Sequence, residues 1–373
     1  MKKKREGKAK RLSMDRISTL PQPILEIILS LLPTHEAART SVLSREWRYK
    51  WTKIPKLELC HYTPRENMDV RCKNLYNIHQ VLLLHHVPIH ELTLYTCKDC
   101  DCFEFDQIIL HLAKNHTFKK LALYGLNYTY RFDLPISIFS LHHLTDLCLY
   151  CVDLEHQPVF NGFGSLRSLV LDDVGISTKT LLHLLSNCPS LKSFNLRIGG
   201  THFGEPCTII ELFKCLPTIE HLTTCRYVFW FWLHLGAVPR ALPSLLFHLK
   251  YFCFEQMSFG DRDELPFLLV LIKYSPNLEK IKLEIDSNDK SFEEYSVEWE
   301  EYSNVWLEHL VELEIEYFSN LKLEMEFVKF ILARSPKLKT VRIESVVDED
   351  QESEMFKTLL RASRASPVII DVT

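Results

Sequence analysis

The sequence is short of glycine. Ten of its 373 residues are glycine, about 2.7% against a usual ~7%. Phosphate-binding glycine loops, dinucleotide-binding turns and collagen all need glycine at fixed places, and this supply cannot furnish them. Long apolar runs are missing as well. Nothing approaches the ~20 residues that span a bilayer, and the most apolar stretch, Val228–Leu235, is far too short and carries His234. No apolar core follows the N-terminal lysines, so neither a secretory signal nor a membrane partner is expected. The 12 cysteines then read as reduced thiols in the nucleus, the cytoplasm or both, rather than as a disulfide framework. A phosphate loop, a strand-to-helix GxSxG elbow and an HExxH pair are all absent, which leaves no catalytic constellation and no expected cofactor or metal.

An excess of positive charge is lacking too. The net charge is −4, and even that hides an asymmetry. Residues 1–11 hold seven Lys/Arg and one Glu, a local +6, so the remaining 37 basic and 47 acidic residues sum to −10. The basic tail reads as a solvated terminus or a nuclear-localisation cluster. An acidic body repels phosphates, which argues against nucleic acid as a partner of the folded part.

What the chain has in excess is leucine: 59 residues. Some of it lies in a first unit, residues 14–55. Apolar residues at Ile24, Leu25, Ile28, Leu29 and Leu32 form a helical face opened by Pro21 and closed by Pro33. Thr34 can cap a second helix through Ala37, Ala38, Val42 and Leu43, and a third is expected after Ser44, with Trp47 and Trp51 four apart. Three short helices in about 40 residues bury little on their own, and such a unit leaves apolar surface for a partner.

The ordered run Leu20-Pro21, Ile24-Leu25, Ile28-Leu29-Ser30, Leu32-Pro33, Arg39–Ser44 and Trp47-Arg48…Trp51 resembles a plant-type F-box. The family commonly has an acidic pair after Leu-Pro, where this chain has Gln22 and Pro23, and a bulkier aromatic where Leu31 stands. The resemblance implies docking on a Skp-family adaptor and, through it, on a cullin–RING ubiquitin ligase. By position it implies Leu20, Pro21, Ile24, Leu25, Ile28 and Leu29 as a first contact set, and Leu43 and Trp47 as residues that make or support a second. The other reading of these leucines is a helical cap on the part that follows.

That part is repetitive. A template of three apolar positions, Φ-x-x-Φ-x-Φ, begins at Ile54, Ile89, Phe118, Leu144, Leu166, Leu191, Ile219, Leu249, Leu278, Leu310 and Leu338, with Thr224 as a degenerate member in the seventh copy. From 89 to 338 the nine steps average about 27.7 residues, close to the 20–29 of leucine-rich repeats. Helical patterns ending in proline are expected at Thr178–Asn187, Thr208–Cys215, Leu265–Tyr274 and Glu324–Arg334, with irregular links elsewhere. The repeats resemble those of plant F-box proteins, and residues 305–373 resemble their C-terminal FBD-type region, here expected to cap the solenoid.

The expected fold is α/β: a small three-helix F-box followed by a curved leucine-rich-repeat solenoid with a parallel sheet on the concave face. The expected units are a basic disordered tail (1–13), the F-box (14–55), the repeats (56–304) and the final repeats with the FBD-like cap (305–373). The chain itself would be non-catalytic. The resemblance implies a substrate-recognition subunit of a Skp–cullin–F-box ligase, the alternative being a leucine-rich-repeat scaffold not engaged in a ligase.

The position after the last template residue faces the concave side. It reads Tyr95, Tyr124, Tyr150, Asp172, Arg197, Cys225, Glu255, Glu284, Glu316, Glu344, an aromatic ladder followed by an acidic one, deepened by Glu312 and Glu314 and partly neutralised by Lys280, Lys282 and Arg342. One reading makes this a site for a protein substrate, with tyrosines gripping apolar or proline-containing residues and glutamates taking Lys or Arg. The other makes it a solvated face of cross-strand Glu–Lys pairs. Three further features take bland readings: Cys97–Cys102 with His85, His86 and His90 as a reduced loop lacking a second cysteine pair, Phe229–Trp232 as core filling, and Ser287–Tyr302 as an exposed acidic loop.

Overall fold

The computed structural model describes residues 17, 19–60, 81–85, 87–96, 102–115, 119–125, 131–154, 162–197, 208–233, 238–286 and 296–373. Two short helices come first, α1 (Gln22–Ser30) and α2 (Thr34–Arg39). Pro21 and Pro33 stand at their N-caps, where the missing N–H of proline costs nothing. The third helical segment is instead a chain of i→i+3 turns through Trp47 and Lys50 that ends in a 3₁₀ turn at Trp51–Lys53. Arg45, Arg48, Lys50 and Lys53 crowd that stretch with like charge, and two tryptophans anchor it.

Every copy of the template becomes a strand of one parallel sheet. β1 (Lys56–Cys60), β2 (Glu91–Thr96), β3 (Lys120–Gly125), β5 (Asp146–Tyr150), β7 (Ser168–Asp172) and β8 (Ser193–Arg197) run side by side. They are followed by β9 (His221–Cys225), β10 (Tyr251–Met257), β11 (Lys280–Ile285), β12 (Glu312–Phe318) and β13 (Thr340–Ser345). A twelfth strand, β14 (Ile369–Val372), closes the row against β13, while β4 (Phe132–Asp133) and β6 (Val152–Asp153) pair separately. The register aligns each template leucine with the next, Leu57↔Leu92↔Leu121↔Leu147↔Leu169↔Phe194, so apolar side chains stack into one continuous core. Helices take more width than the ~4.8 Å between strands, which curves the solenoid with the sheet on its inner face.

Each strand starts on the same rung. Two successive N–H groups converge on one carbonyl of the repeat before: Lys119 and Lys120 on His90 at 2.9 and 3.0 Å, Lys250 and Tyr251 on Glu220 at 2.9 and 3.0 Å. The first such carbonyl is Pro55, which accepts from His90 (2.8 Å) and Glu91 (3.2 Å). The end of the helical unit is therefore built into the solenoid, and the Glu58 N–H donating to Thr34 Oγ1 at 2.7 Å ties α2 to β1.

Behind the sheet, the four proline-ended helices form at Thr178–Ser186, Ile209–Lys214, Glu264–Tyr274 and Lys322–Arg334. Thr208 and Glu211 close a capping box on the second of them. Among the described residues, Cys102–Asn115, Arg226–Leu233 and Glu349–Arg361 are also helical, where no proline flags them. In Arg226–Leu233, Phe229 is buried with its ring centroid 4.6 Å from Phe267 and 5.4 Å from Phe254, filling the space beside the degenerate seventh strand. The described end of the acidic insert is not an exposed loop. Trp299–Tyr302 forms a 3₁₀ turn, Tyr302 is buried, and Trp299 Nε1 donates to Glu326 at 3.0 Å.

Two strand-to-helix junctions repeat one device. After β10 and after β12, a fully buried glutamate of the next helix reaches back to backbone N–H groups: Glu264 to Ser258 (2.7 Å), Glu324 to Ser319 (3.0 Å) and Leu321 (3.1 Å). Glu264 also meets Arg226 at 3.1 Å, and Arg226 meets Asp286 at 3.1 Å. No cation reaches Glu324 among the described residues, and burial pushes its carboxyl up to about 7.

Candidate functional site

Two surfaces stand out, one at each level of the chain. On the helical unit, Leu25 and Leu29 lie one turn apart and are 1% exposed, packed with Ala37, Trp47, Trp51 and Ile54 into a small separate core. The opposite face of the same turns shows Ile24, Ile27, Ile28, Leu31 and Leu32, joined by Val42 and Leu43. Leu31 is 80% and Val42 87% exposed. So many exposed large apolar side chains on so small a unit are what a docking face requires. Of the residues expected at an adaptor contact, Ile24, Ile28, Leu43 and Pro21 are exposed and Leu20 is half-buried against the small core. Leu25, Leu29 and Trp47 are not surface residues. Their periodicity belongs to the core, and they act by holding the exposed set in place. Leu32 and Val42 were legible as helix positions, Ile27 and Leu31 were not singled out as such, and the exposure of all four required the fold.

The second surface is the open face of the sheet. Tyr95, Tyr124 and Tyr150 sit on neighbouring strands in register, with ring centroids 4.9 and 5.9 Å apart. Burial, then the neighbouring Cys148, pushes the Tyr124 hydroxyl up to about 12. Arg197 follows, gripped by both Glu255 oxygens at 2.5 Å and by Asp172 at 3.2 Å. The hydrogen bonds it donates to Glu255 raise its pKa further. Beyond lies a lattice of ion pairs: Lys280 with Glu314 (2.7 Å) and Glu312 (3.4 Å), Lys282 with Glu314 (3.1 Å) and Glu316 (2.5 Å), and Arg342 with Glu312. Burial opposes ionisation of Glu314, but Lys280 and Lys282 outweigh it and hold the carboxyl below its usual range.

Four of the six expected acidic ligands, Glu255, Glu312, Glu314 and Glu316, are thus already paired within the protein. Glu344 is exposed at the strand end. Glu284 differs. It stands directly opposite Glu316 and makes no ion pair among the described residues. Burial, then Glu255 and Glu316, raise its pKa.

The cysteine-rich run after β2 starts outside the described residues, as do the basic tail and residues 287–295. Buried His85 has ring nitrogens 2.7 Å from the Ile54 carbonyl and 3.0 Å from that of Val87, which pins it to the junction.

An apolar docking unit rooted in the first rung of a leucine-rich parallel solenoid defines a class: F-box proteins with leucine-rich repeats. Comparison with known families agrees. Residues 17–59 match the F-box domain model, and residues 106–209 match the model of the LRR repeats of FBD-associated F-box protein At5g56370. The chain is a plant-type F-box/leucine-rich-repeat protein with an FBD-type C-terminal region. It is 29% identical to the F-box/FBD/LRR-repeat protein At1g13570 of Arabidopsis thaliana, over 95% of this chain and 97% of that one. It is 26% identical to FBD-associated F-box protein At5g56370 of the same plant, over 87% and 89%. The F-box/FBD/LRR-repeat protein At3g26920 is 32% identical, but over 56% of this chain and 46% of its own length. The F-box implies binding to a Skp-type adaptor of a cullin ligase.

Proposed function

We propose that the protein is the substrate-recognition subunit of a Skp–cullin–F-box ubiquitin ligase. The observation that carries this reading is the outward set Ile24, Ile27, Ile28, Leu31, Leu32, Val42 and Leu43 on a unit whose last carbonyls are part of the solenoid's ladder. The adaptor takes the apolar face, and the stiff junction fixes where the sheet face lies relative to the ligase. The chain does no bond chemistry of its own. It raises the effective concentration of substrate lysines beside a ubiquitin-charged conjugating enzyme. The deciding experiment is co-purification with a Skp-family adaptor and a cullin, compared with a Leu20→Ala/Pro21→Ala chain and an Ile28→Glu chain. Loss of both partners from the variants is expected. Absence of adaptor and cullin from the native chain would instead favour a scaffold working outside a ligase.

A further inference from the structure

The middle row of the sheet face is built from small side chains. In register across β2, β3, β5, β7, β8 and β9 it reads Thr93, Ala122, Cys148, Val170, Asn195 and Thr223, none larger than valine and all partly open to solvent. The three tyrosines stand along one side of this row over β2, β3 and β5 and Arg197 along the same side on β8, which makes it a trough crossing the strands. Its floor holds one unmet acceptor. Asn195 Oδ1 is shielded from bulk solvent and has no hydrogen-bond partner, a condition that costs free energy, and a turn of its half-buried side chain would bring the oxygen to an arriving N–H. At the far end, Glu284 is the ladder carboxylate between two paired ones, and it has no cation of its own.

From this we infer that the trough takes an extended peptide segment running across the strands, with an apolar side chain against Tyr124 and Tyr150, a peptide N–H on Asn195 Oδ1, and a Lys or Arg on Glu284. The inference rests on the substrate-receptor reading and narrows it to a substrate class. The ruler is the sheet. Tyr150 and Glu284 are separated by five strand steps, β5-β7-β8-β9-β10-β11, or about 24 Å. An extended chain covers that in about seven residues at ~3.3 Å each. The charge fits as well: counting the outward residues of β10–β14, Glu255, Glu284, Glu312, Glu314, Glu316, Glu344 and Asp371 against Lys280, Lys282 and Arg342 leaves −4 on that half.

The test uses the full chain co-expressed with its adaptor and fluorescein-labelled Gly/Ser peptides. Each peptide carries one Trp and one Arg separated by four, seven or ten residues, in both orders. Anisotropy should show the seven-residue spacing binding at least tenfold tighter than the other two in one order. Binding should fall about tenfold in Glu284→Gln and severalfold in Asn195→Ala. Glu284→Gln removes a like-charge contact with Glu316 and should not unfold the sheet, which thermal unfolding checks. Affinity independent of spacing, or unchanged in Glu284→Gln, overturns the inference. Adaptor capture scored on the same samples separates the two readings: intact capture with indifferent peptides sinks the trough alone, whereas lost capture in the native chain sinks the receptor reading.

Discussion

Glu324 gives the sharpest quantitative handle on this fold. Its side chain is fully buried, its carboxylate accepts two backbone N–H groups, and burial pushes its pKa from 4.5 to about 7. A folded-state pKa above the unfolded one means that the native state holds a proton the unfolded chain gives up. The resulting stabilisation is complete below pH 4.5 and is lost as pH rises through 7. A gap of about 2.5 units at 1.36 kcal/mol each puts the full swing at about 3 kcal/mol. Glu324→Gln keeps the shape and a carbonyl oxygen for the N–H groups but cannot ionise. The variant should match the native chain near pH 4.5 and exceed it by about 3 kcal/mol at pH 8. Urea unfolding followed by circular dichroism at both pH values reads the global effect. Because solenoids need not unfold in one step, amide exchange across residues 319–334 supplies the local readout. A native–variant difference that is the same at both pH values, or a variant weaker at pH 8, would refute the reasoning.

The twin position should behave oppositely: Glu264→Gln leaves Arg226 with Asp286 as its remaining acidic partner, and a loss of about 3 kcal/mol at pH 7 is expected in the same urea assay. Leu25→Ala should cost about 2–5 kcal/mol and melt the F-box, whereas Ile28→Glu should leave the melting curve in place and lower adaptor capture at least tenfold. Gln256 holds a left-handed backbone at φ 55°, so Gln256→Gly should raise stability by about 0.5–1 kcal/mol after glycine's own entropy is set against the relieved strain. If residues 1–11 are a nuclear signal, deleting them should move a fluorescent fusion out of the nucleus, and an unchanged distribution removes that role.

The repeats were legible because one physical rule, apolar residues stacking inward at a fixed spacing, is written eleven times. Where the rule was diluted, legibility failed. β14 carries no leucine template, only Ile369-Ile370-Asp371-Val372, and becomes a strand because β13 offers an open edge. The helix Glu349–Arg361 rests on an Asp348 cap and two buried residues, Met355 and Leu359, too few to stand out in an acidic run. The helix Arg226–Leu233 reads Arg-Tyr-Val-Phe-Trp-Phe-Trp-Leu, whose aromatics favour a strand until tertiary packing decides otherwise. In the F-box, spacing showed which residues share a helix but not which side faces inward, so Leu25 and Leu29 read as contacts when they are core, while buried Trp47 keeps only the supporting half of its expected role. The acidic ladder was legible as a row of charges. Its partners were not, because pairing depends on which lysine of the neighbouring strand leans toward it.

Scarce glycine, which excluded whole enzyme classes at the outset, has a structural counterpart at the outer rim of the sheet. Directly after the ladder residue, Cys151, Asp173, Gln256 and Tyr317 all adopt positive φ, between 49° and 60°. Within β10 and β12 this inserts one extra residue, since Phe254 and Met257 face Leu283 and Ile285, and Ile315 and Phe318 face Ile343 and Ser345. A glycine would take these positions without strain. The side chains kept there at about 1–2 kcal/mol each instead end β5 and β7 beside the ladder and put a bulge into β10 and β12. Strain that recurs over four repeats is a property of the rim, and it lies next to Tyr150 and on the two strands that flank Glu284. A surface meant to hold an extended peptide gains from such a rim, because a stiff strand end keeps the ladder side chains in fixed places and lowers the ordering cost of binding.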